Sequence, residues 1–179
     1  MCANRQRGLT LIELIVFIVI VGVALAGVLT VLNHTTRHSA DPMIRKQALA
    51  IAEAILEEVM LQPFTWCDPD DGNAATATGY AGAGNCTVSE NNLTAEAGET
   101  RGATTTPFDN VNDYNGLTTT TNIAGGGSAP YAATVAVAQQ SLNGIAVDAS
   151  LLITVTVTAP GETIEVQGYR TRHSPNMLP

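Results

Sequence analysis

An uninterrupted apolar stretch near the N-terminus constrains the fold of this chain more than any other feature. From Leu14 to Leu32 only Thr30 has a polar side chain, and no residue between Glu13 and Arg37 carries a formal charge. A helix crosses a hydrocarbon core of about 30 Å with about 20 residues, because each residue rises about 1.5 Å. The stretch therefore predicts a transmembrane helix. A cleaved secretory signal, whose apolar core is usually about 7–15 residues long, is an alternative that fits less well.

The rest of the chain is acidic and poor in aromatic residues. Among 179 residues, 8 Lys and Arg are outnumbered by 16 Asp and Glu, which gives a net charge of −8, and aromatic residues make up 4 %. Nucleic-acid binding needs clustered cations that displace counterions from phosphates. Arg101 is the only cation between Glu53 and Glu165. We therefore expect no nucleic-acid partner, and we predict an acidic head on a membrane stem.

A short polar leader and one carboxylate stand at the start of the apolar stretch. The leader, Met1–Gly8, contains Arg5 and Arg7, and Glu13 follows a few residues later. Burying a carboxylate at the centre of a bilayer costs roughly 2.5–3.5 kcal/mol on insertion scales. Glu13 therefore either pairs with a cation held at similar depth, or avoids the cost by extending to the lipid headgroups or by becoming protonated. Physical reasoning about this residue leaves both interpretations open.

The sequence GLTLIELIVFIVIVGVAL, which begins at Gly8, resembles the class III signal of type IV prepilins and pseudopilins. The resemblance implies that a prepilin peptidase at the cytoplasmic membrane face cleaves after Gly8 and then methylates the new N-terminus at Leu9. It also implies that Glu13 pairs with the N-terminal ammonium group of a neighbouring subunit. The chain departs from the family pattern at Leu9, where phenylalanine is usual, and it has no proline in the second half of the apolar stretch.

The resemblance further implies partners and a location. The expected partners are other pilin subunits, the prepilin peptidase/methyltransferase, an inner-membrane pilus assembly platform, and membrane lipid before assembly. The expected location is the bacterial inner membrane, with a single span and the head in the periplasm, and then an extracellular pilus. Loop charges do not decide this orientation, because Arg5 and Arg7 precede the span while Arg37, Arg45 and Lys46 follow it.

A second helical pattern follows the apolar stretch. Its apolar residues recur at spacings of three and four and form one stripe: Ile44, Ala48, Ile51, Ala52, Ile55, Leu56 and Val59. Asp41-Pro42 is typical of a helix start, but it can also bend a continuous helix. We predict one helix over Thr10–Gln62, bent near Pro42 and ended by Pro63. The stripe is expected to cover the sheet of the head, since it is too short for a coiled coil.

Two cysteines lie in the loop-rich part of the chain that follows this helix. Cys67 and Cys86 have 18 residues between them, a spacing that fits no four-ligand zinc pattern, whereas Cys2 lies in the leader. A disulfide is the expected state of such a pair in an oxidising periplasm. Closing a loop of this size contributes about 3 kcal/mol in the chain-entropy model.

Two acidic segments raise the question of a metal ion. In Asp68–Asn73 the glycine is fifth and the twelfth residue is Gly79, whereas a standard calcium loop needs glycine sixth and glutamate twelfth. We therefore expect a solvated acidic turn there. Asp109 and Asp113, in the segment PFDNVNDYNG, remain weaker candidates for metal ligands than for turn formation. No cofactor is predicted.

The C-terminal part of the chain predicts an antiparallel sheet. Apolar and polar residues alternate in Tyr131–Gln140, Ser150–Thr158 and Glu162–Tyr169, and Ala159-Pro160-Gly161 is typical of a tight turn. We expect three strands, with a fourth as an open alternative, half buried under the helix. The predicted fold class is α+β, namely a pilin fold with a long N-terminal transmembrane helix on a small antiparallel sheet and a disulfide-bounded loop.

These patterns together divide the chain into four segments. The predicted segments are a leader at 1–8, a long helix at 9–62 (9–33 in the membrane or filament core, 43–62 amphipathic), a loop-rich part at 63–128, and the sheet and tail at 129–179.

The sequence favours a structural subunit over an enzyme. His34, His38 and His173 stand in no context that would activate a nucleophile. The segment FDNVNDYNGL follows the helix and the Cys-bounded loop, and it resembles the sequence of minor pilins of mannose-sensitive haemagglutinin (MSHA) type IV pili. The preferred function is a minor pilin, with initiation, tip and adhesion roles left open. The alternatives are a type II secretion pseudopilin and a tip adhesin, for which Trp66 and Tyr80 are the candidate contact residues.

Overall fold

One long helix runs through the N-terminal third of the molecule. A computed structural model describes residues 10–121 and 131–176 of the chain, without the side chains of 35–41. Helix α1, Leu11–Leu61, contains Pro42 and has nearly the predicted bounds. The bend expected at Pro42 stays a prediction. Contacts divide the chain into two compact units, Met1–Met43 and Ile44–Pro179.

The sheet belongs to the second unit. Its four strands pair in sequence order, every pair is antiparallel, and the strands are β1 (Thr118–Thr121), β2 (Tyr131–Gln139), β3 (Ser150–Ala159) and β4 (Glu162–Thr171). The three strands expected from alternation are present, and the fourth is a short run of threonines before β2. The β3–β4 hairpin turns at Pro160-Gly161, where Gly161 has a φ of +81°, a conformation that glycine adopts without steric cost.

The core lies between the sheet and the second half of α1. The inner-facing residues of β2 and β3 alternate with exposed or half-buried ones, as the period of two predicted, and the buried set is Tyr131, Ala133, Val135, Val137, Leu151, Ile153, Val155, Val157 and Ala159. From the helix, Ala48, Ala52, Ile55 and Val59 pack against them. The helix thereby buries the apolar stripe read from the sequence, and the α+β fold class is confirmed.

A disulfide organises the segment that follows α1. Cys67 and Cys86 are bonded, as predicted, and Cys67 also forms an antiparallel bridge with Ser89. Two backbone hydrogen bonds flank this bridge, because Asp68 N donates to Val88 O at 3.3 Å and Glu90 N donates to Trp66 O at 3.1 Å. The crosslink therefore holds Asp68 and Glu90 on adjacent stretches of chain.

Candidate functional site

Two features of the molecule carry chemistry beyond packing, and they lie in different units. The first is the stem segment, which we define as Leu11–His34. It is 24 residues long with a mean hydropathy of 3.1, long and apolar enough to cross a membrane. Its large apolar side chains are exposed, with Phe17 for example 63 % exposed. A contiguous apolar surface of this kind marks a site of contact with lipid or with other protein chains.

Glu13 lies in the first turn of the stem segment. Its backbone N donates to Thr10 O at 3.1 Å, and its side chain is exposed. A carboxylate in a first turn is favoured by the positive end of the helix dipole. Gly8 and Leu9, the predicted cleavage and methylation residues, lie outside the described residues. The predicted role of Glu13 in pairing with a neighbouring subunit stays a prediction.

The second feature is a group of carboxylates in the head, which we call the acidic cluster. Three overlapping triads have side-chain oxygens within 4.8 Å of one another, and their members are Asp68, Glu90, Glu96, Glu99, Asp109 and Asp113. Shared members connect the triads, because Asp68, Glu96 and Glu99 each belong to two of them. All six residues come from the chain between Cys67 and β1.

Asp113 and Asp109 are positioned by a 3₁₀ helix at Val111–Tyr114. Asp113 Oδ2 accepts from the backbone N of Asp109 at 3.0 Å and of Asn110 at 2.7 Å, which forms a capping box at the start of this helix. Asp113 Oδ1, in contrast, is buried and has no hydrogen-bond partner. The segment is thus held in place by one carboxylate oxygen while the other remains unsatisfied.

The loop that carries Glu96 and Glu99 is tied to helix α1 by an ion pair. The guanidinium of Arg101 donates to Glu58 through Nε at 2.8 Å and Nη2 at 2.5 Å. Tyr114 Oη also donates to Glu58 at 3.1 Å. These contacts explain why the pKa of Glu58 is lowered, chiefly by the hydrogen bond from Arg101. Arg101 is therefore directed toward the helix.

The acidic cluster contains the strongest electrostatic conflict in the described part of the head. Burial, reinforced by neighbouring carboxylates, raises the pKa of Glu90 to about 9 and that of Glu99 to about 7. The same two causes raise the pKa of Asp109 to about 6, and burial with repulsion from Glu99 raises that of Asp113 to about 8. Among the side chains described in residues 10–34, 42–121 and 131–176, none forms a salt bridge with a member of the cluster. Ionisation of these groups is therefore opposed by the fold.

Sequence reasoning found only part of this cluster. Asp109 and Asp113 were candidate ligands, and the structure brings both into one cluster through Glu99. Asp68 was expected in a solvated turn, but it is buried because the disulfide and the bridge to Ser89 hold it against the head. Glu90, Glu96 and Glu99 were not singled out. Their one available signal was the recurrence of carboxylates after the second cysteine, without an accompanying Lys.

The candidate adhesin residues Trp66 and Tyr80 are occupied in packing. Their rings meet edge to face with centroids 4.8 Å apart. The Cζ of Arg172 lies 3.6 Å from the Trp66 ring centroid and 4.9 Å from that of Tyr80. Arg172 also donates to the backbone O of Asp148 at 2.7 Å. These aromatics therefore help to hold the C-terminal tail, and their predicted role as contact residues of an adhesin stays a prediction.

Comparison with known proteins bears on the N-terminus. Residues 3–29 match the prokaryotic N-terminal methylation motif. No curated protein and no solved structure matches the chain. The match supports a class III signal of the type IV prepilin kind and, with it, a type IV pilin or pseudopilin. Such a motif implies processing by a prepilin peptidase and assembly with other pilins, and it fits membrane anchoring of a structural subunit.

Proposed function

We propose that this protein is a minor pilin of an MSHA-like type IV pilus, resembling the minor pilin MshD. In this proposal a prepilin peptidase cleaves after Gly8 and methylates Leu9, and the protein enters the pilus through its N-terminal helix. Initiation, a tip position and adhesion are the roles that such a subunit would serve.

One observation carries the proposal. The stem segment is an exposed apolar helix with a single carboxylate, Glu13, close to its start, and the N-terminal methylation motif at residues 3–29 overlaps it. Neither a buried core helix nor a solvent-exposed helix explains this combination. It is explained by a helix that lies first in lipid and then among other such helices, because both environments cover its apolar side chains.

The proposed mechanism follows from the charges. Cleavage after Gly8 creates an ammonium group on Leu9. In a neighbouring subunit Glu13 presents a carboxylate at similar depth, where water is scarce and an opposite charge is strongly attractive. Pairing offsets the free-energy cost of burying each charge. Removing one partner would leave the other charge buried and uncompensated. Helix α1 then exchanges lipid contacts for contacts with other subunits.

The minor-pilin assignment rests on the head. The segment FDNVNDYNGL follows an amphipathic helix and a Cys-bounded loop, and this order resembles that of MSHA minor pilins. In this chain the segment forms the 3₁₀ helix Val111–Tyr114 and the turn into β1, with Val111 and Tyr114 buried against the core.

The proposal is tested in a strain that assembles the corresponding pilus. Glu13→Ala and Glu13→Gln should leave membrane insertion and cleavage intact, while the amount of the protein in sheared pili falls at least about tenfold. Glu57→Gln, an exposed carboxylate of the same helix beyond the stem segment, is the matched control. Normal incorporation of the Glu13 variants would contradict the pairing.

Processing is tested separately by mass spectrometry of the protein recovered from pili. A methylated N-terminus at Leu9 is expected, and recovery of protein that begins at Met1 would refute the proposed function. The methylation motif also fits a type II secretion pseudopilin. Loss of secreted substrates with normal surface pili, in a strain without this protein, would favour that alternative over the minor pilin.

A further inference from the structure

We propose that the acidic cluster is a calcium-binding site that fixes the chain between Cys67 and Tyr114 onto the head. The site is independent of the proposed function, because none of its residues belongs to the stem segment. It uses carboxylates from three stretches of chain: Asp68 and Glu90 beside the disulfide, Glu96 and Glu99 from the following loop, and Asp109 and Asp113 from the 3₁₀ helix.

A buried and unsatisfied glutamate points to a ligand. The Glu90 side chain is 2 % exposed, and in the described part of the chain neither of its carboxylate oxygens accepts a hydrogen bond from an N–H or hydroxyl group. An oxygen of Glu90 lies within 4.8 Å of oxygens of both Asp68 and Glu96, so the carboxylate is directed into the cluster. An unpartnered buried carboxylate costs several kcal/mol of folding free energy unless it is neutralised. A metal ion supplies both the charge and the contacts that Glu90 lacks.

Asp113 repeats this arrangement at the other end of the cluster. Its side chain is 2 % exposed, and its Oδ1 has no hydrogen-bond partner although its Oδ2 accepts two. One oxygen therefore serves the fold and the other is left for a ligand. Asp113 lies within 4.8 Å of Glu96 and Glu99 through their side-chain oxygens.

The spacing of the oxygens fits one ion for each triad. Two oxygens bound to the same Ca²⁺ at about 2.3–2.6 Å cannot lie more than about 5 Å apart. The oxygens of each triad satisfy this limit. Because the triads share members, the cluster can hold one ion with ligands drawn from more than one triad, or two neighbouring ions.

The donor set selects a hard cation. All six side chains offer carboxylate oxygens, and none offers sulfur or imidazole nitrogen. Oxygen-only sites suit calcium and magnesium, whereas zinc prefers sites with cysteine or histidine. Calcium accepts six to eight oxygens in irregular geometry, while magnesium demands a near-ideal octahedron and retains water. Carboxylates contributed by three loops fit the more tolerant ion.

Among the described side chains of the head, no ion pair neutralises the cluster. Two of the basic residues of the head have other partners, since Arg101 pairs with Glu58 and Arg172 pairs with Asp148. A divalent cation would supply the opposite charge that the neighbouring carboxylates do not provide to the buried Glu90 and Asp113.

The test uses the full-length protein in detergent micelles, stripped of metal with EDTA and dialysed. Isothermal titration with CaCl₂ should show saturable binding of at least one ion per chain. Thermal unfolding of the head, followed by near-ultraviolet circular dichroism, should shift upward by about 5–10 °C at a hundredfold excess over Kd. MgCl₂ at the same ionic strength should give a smaller shift.

Variants locate the site. Glu90→Gln and Asp113→Asn should each weaken calcium binding at least about tenfold, because each removes a charged ligand. Their metal-free forms should unfold at a higher temperature than the metal-free parent, since each replaces a carboxyl that must take up a proton to remain buried; this also shows that they fold. Asp109→Asn, at a half-buried position, provides a second route if either variant fails to fold. Glu165→Gln on β4 is the matched control and should bind calcium like the parent.

Two results would overturn the proposal. One is the absence of both binding heat and a thermal shift at millimolar calcium, which would mean that the carboxyls are simply protonated in the folded head. The other is unchanged calcium affinity in Glu90→Gln, Asp113→Asn and Asp109→Asn, which would place the ion elsewhere.

Discussion

The guanidinium of Arg172 lies over the indole of Trp66, with its Cζ 3.6 Å from the ring centroid. The Arg172 side chain is only 2 % exposed and also forms an ion pair with Asp148 at 3.3 Å. A cation on an aromatic face gains up to about 2 kcal/mol when desolvated, and charged hydrogen bonds contribute about 1.5–3 kcal/mol. This contact joins the C-terminal end of the sheet to the start of the disulfide loop.

Arg172→Ala should therefore lower the free energy of unfolding of the head by about 2–4 kcal/mol, since it removes both the stacking and the charged hydrogen bonds. Arg172→Lys should lose about half as much, because it keeps the charge but not the planar group. Urea unfolding measures both. Arg101→Ala, which breaks a more exposed ion pair, should cost at most about 1 kcal/mol, and equal effects for the two arginines would contradict this assignment.

The small residues of helix α1 set its distance from the sheet. Ala52 is completely buried against the core, whereas Ala54 on the same helix is exposed. Ala52→Leu should destabilise the head by about 1–3 kcal/mol, because added methylenes have no space in a packed core. Ala54→Leu is the matched control and should change stability by less than about 0.5 kcal/mol. Equal tolerance of both substitutions in urea unfolding would show that the interface is loose.

Removal of the disulfide should act on stability and on metal binding together. Replacing Cys67 and Cys86 by serine should cost about 3 kcal/mol, from the loop that the bond closes. Because the bond also holds Asp68 beside Glu90, the double variant should bind calcium more weakly than the parent under conditions where both are folded. Chemical unfolding and calcium titration measure the two effects. Unchanged calcium affinity would show that the backbone bridge between Cys67 and Ser89 is sufficient.

The pH dependence of the EDTA-treated protein follows from the acidic cluster. Glu90 and Asp113 have pKa values raised to about 9 and about 8, against ordinary values of 4.5 and 3.8. Between the ordinary and the raised value the folded state keeps a proton that the unfolded state has released, so stability falls as pH rises. The stability that these two carboxyls allow in their protonated form is fully present below a pH of about 4 and is lost by a pH of about 9.

The thermal midpoint of the metal-free head should accordingly decrease from pH 5 to pH 9, whereas saturating calcium should largely abolish the decrease. The double variant Glu90→Gln/Asp113→Asn should show a flatter profile without calcium. A metal-free midpoint that rises steadily up to pH 9 would contradict the assignment of these two groups as buried and uncompensated.

Local sequence patterns predict the helices and strands of this fold because the apolar periodicity of each element is contained within a short stretch of residues. The apolar stretch, the stripe from Ile44 to Val59 and the alternation in β3 each follow from one element having one buried face. The fourth strand was left open by the sequence, and its position at β1 was not predicted, because four threonines carry no apolar alternation. Its strand state depends on pairing with β2, and that pairing is a long-range contact.

Sequence by itself determined the membrane stem, the antiparallel sheet with its covering helix, and the cysteine crosslink, because hydrophobic period and residue type express these directly. Tertiary structure alone decided that six carboxylates between Asp68 and Asp113 converge, and that Arg172 is buried between aromatic rings. Which carboxylates become neighbours depends on the paths of the loops after the disulfide and the 3₁₀ helix, and these paths are set by long-range contacts. The burial of a charged side chain therefore cannot be recognised before the folded positions of its neighbours are known.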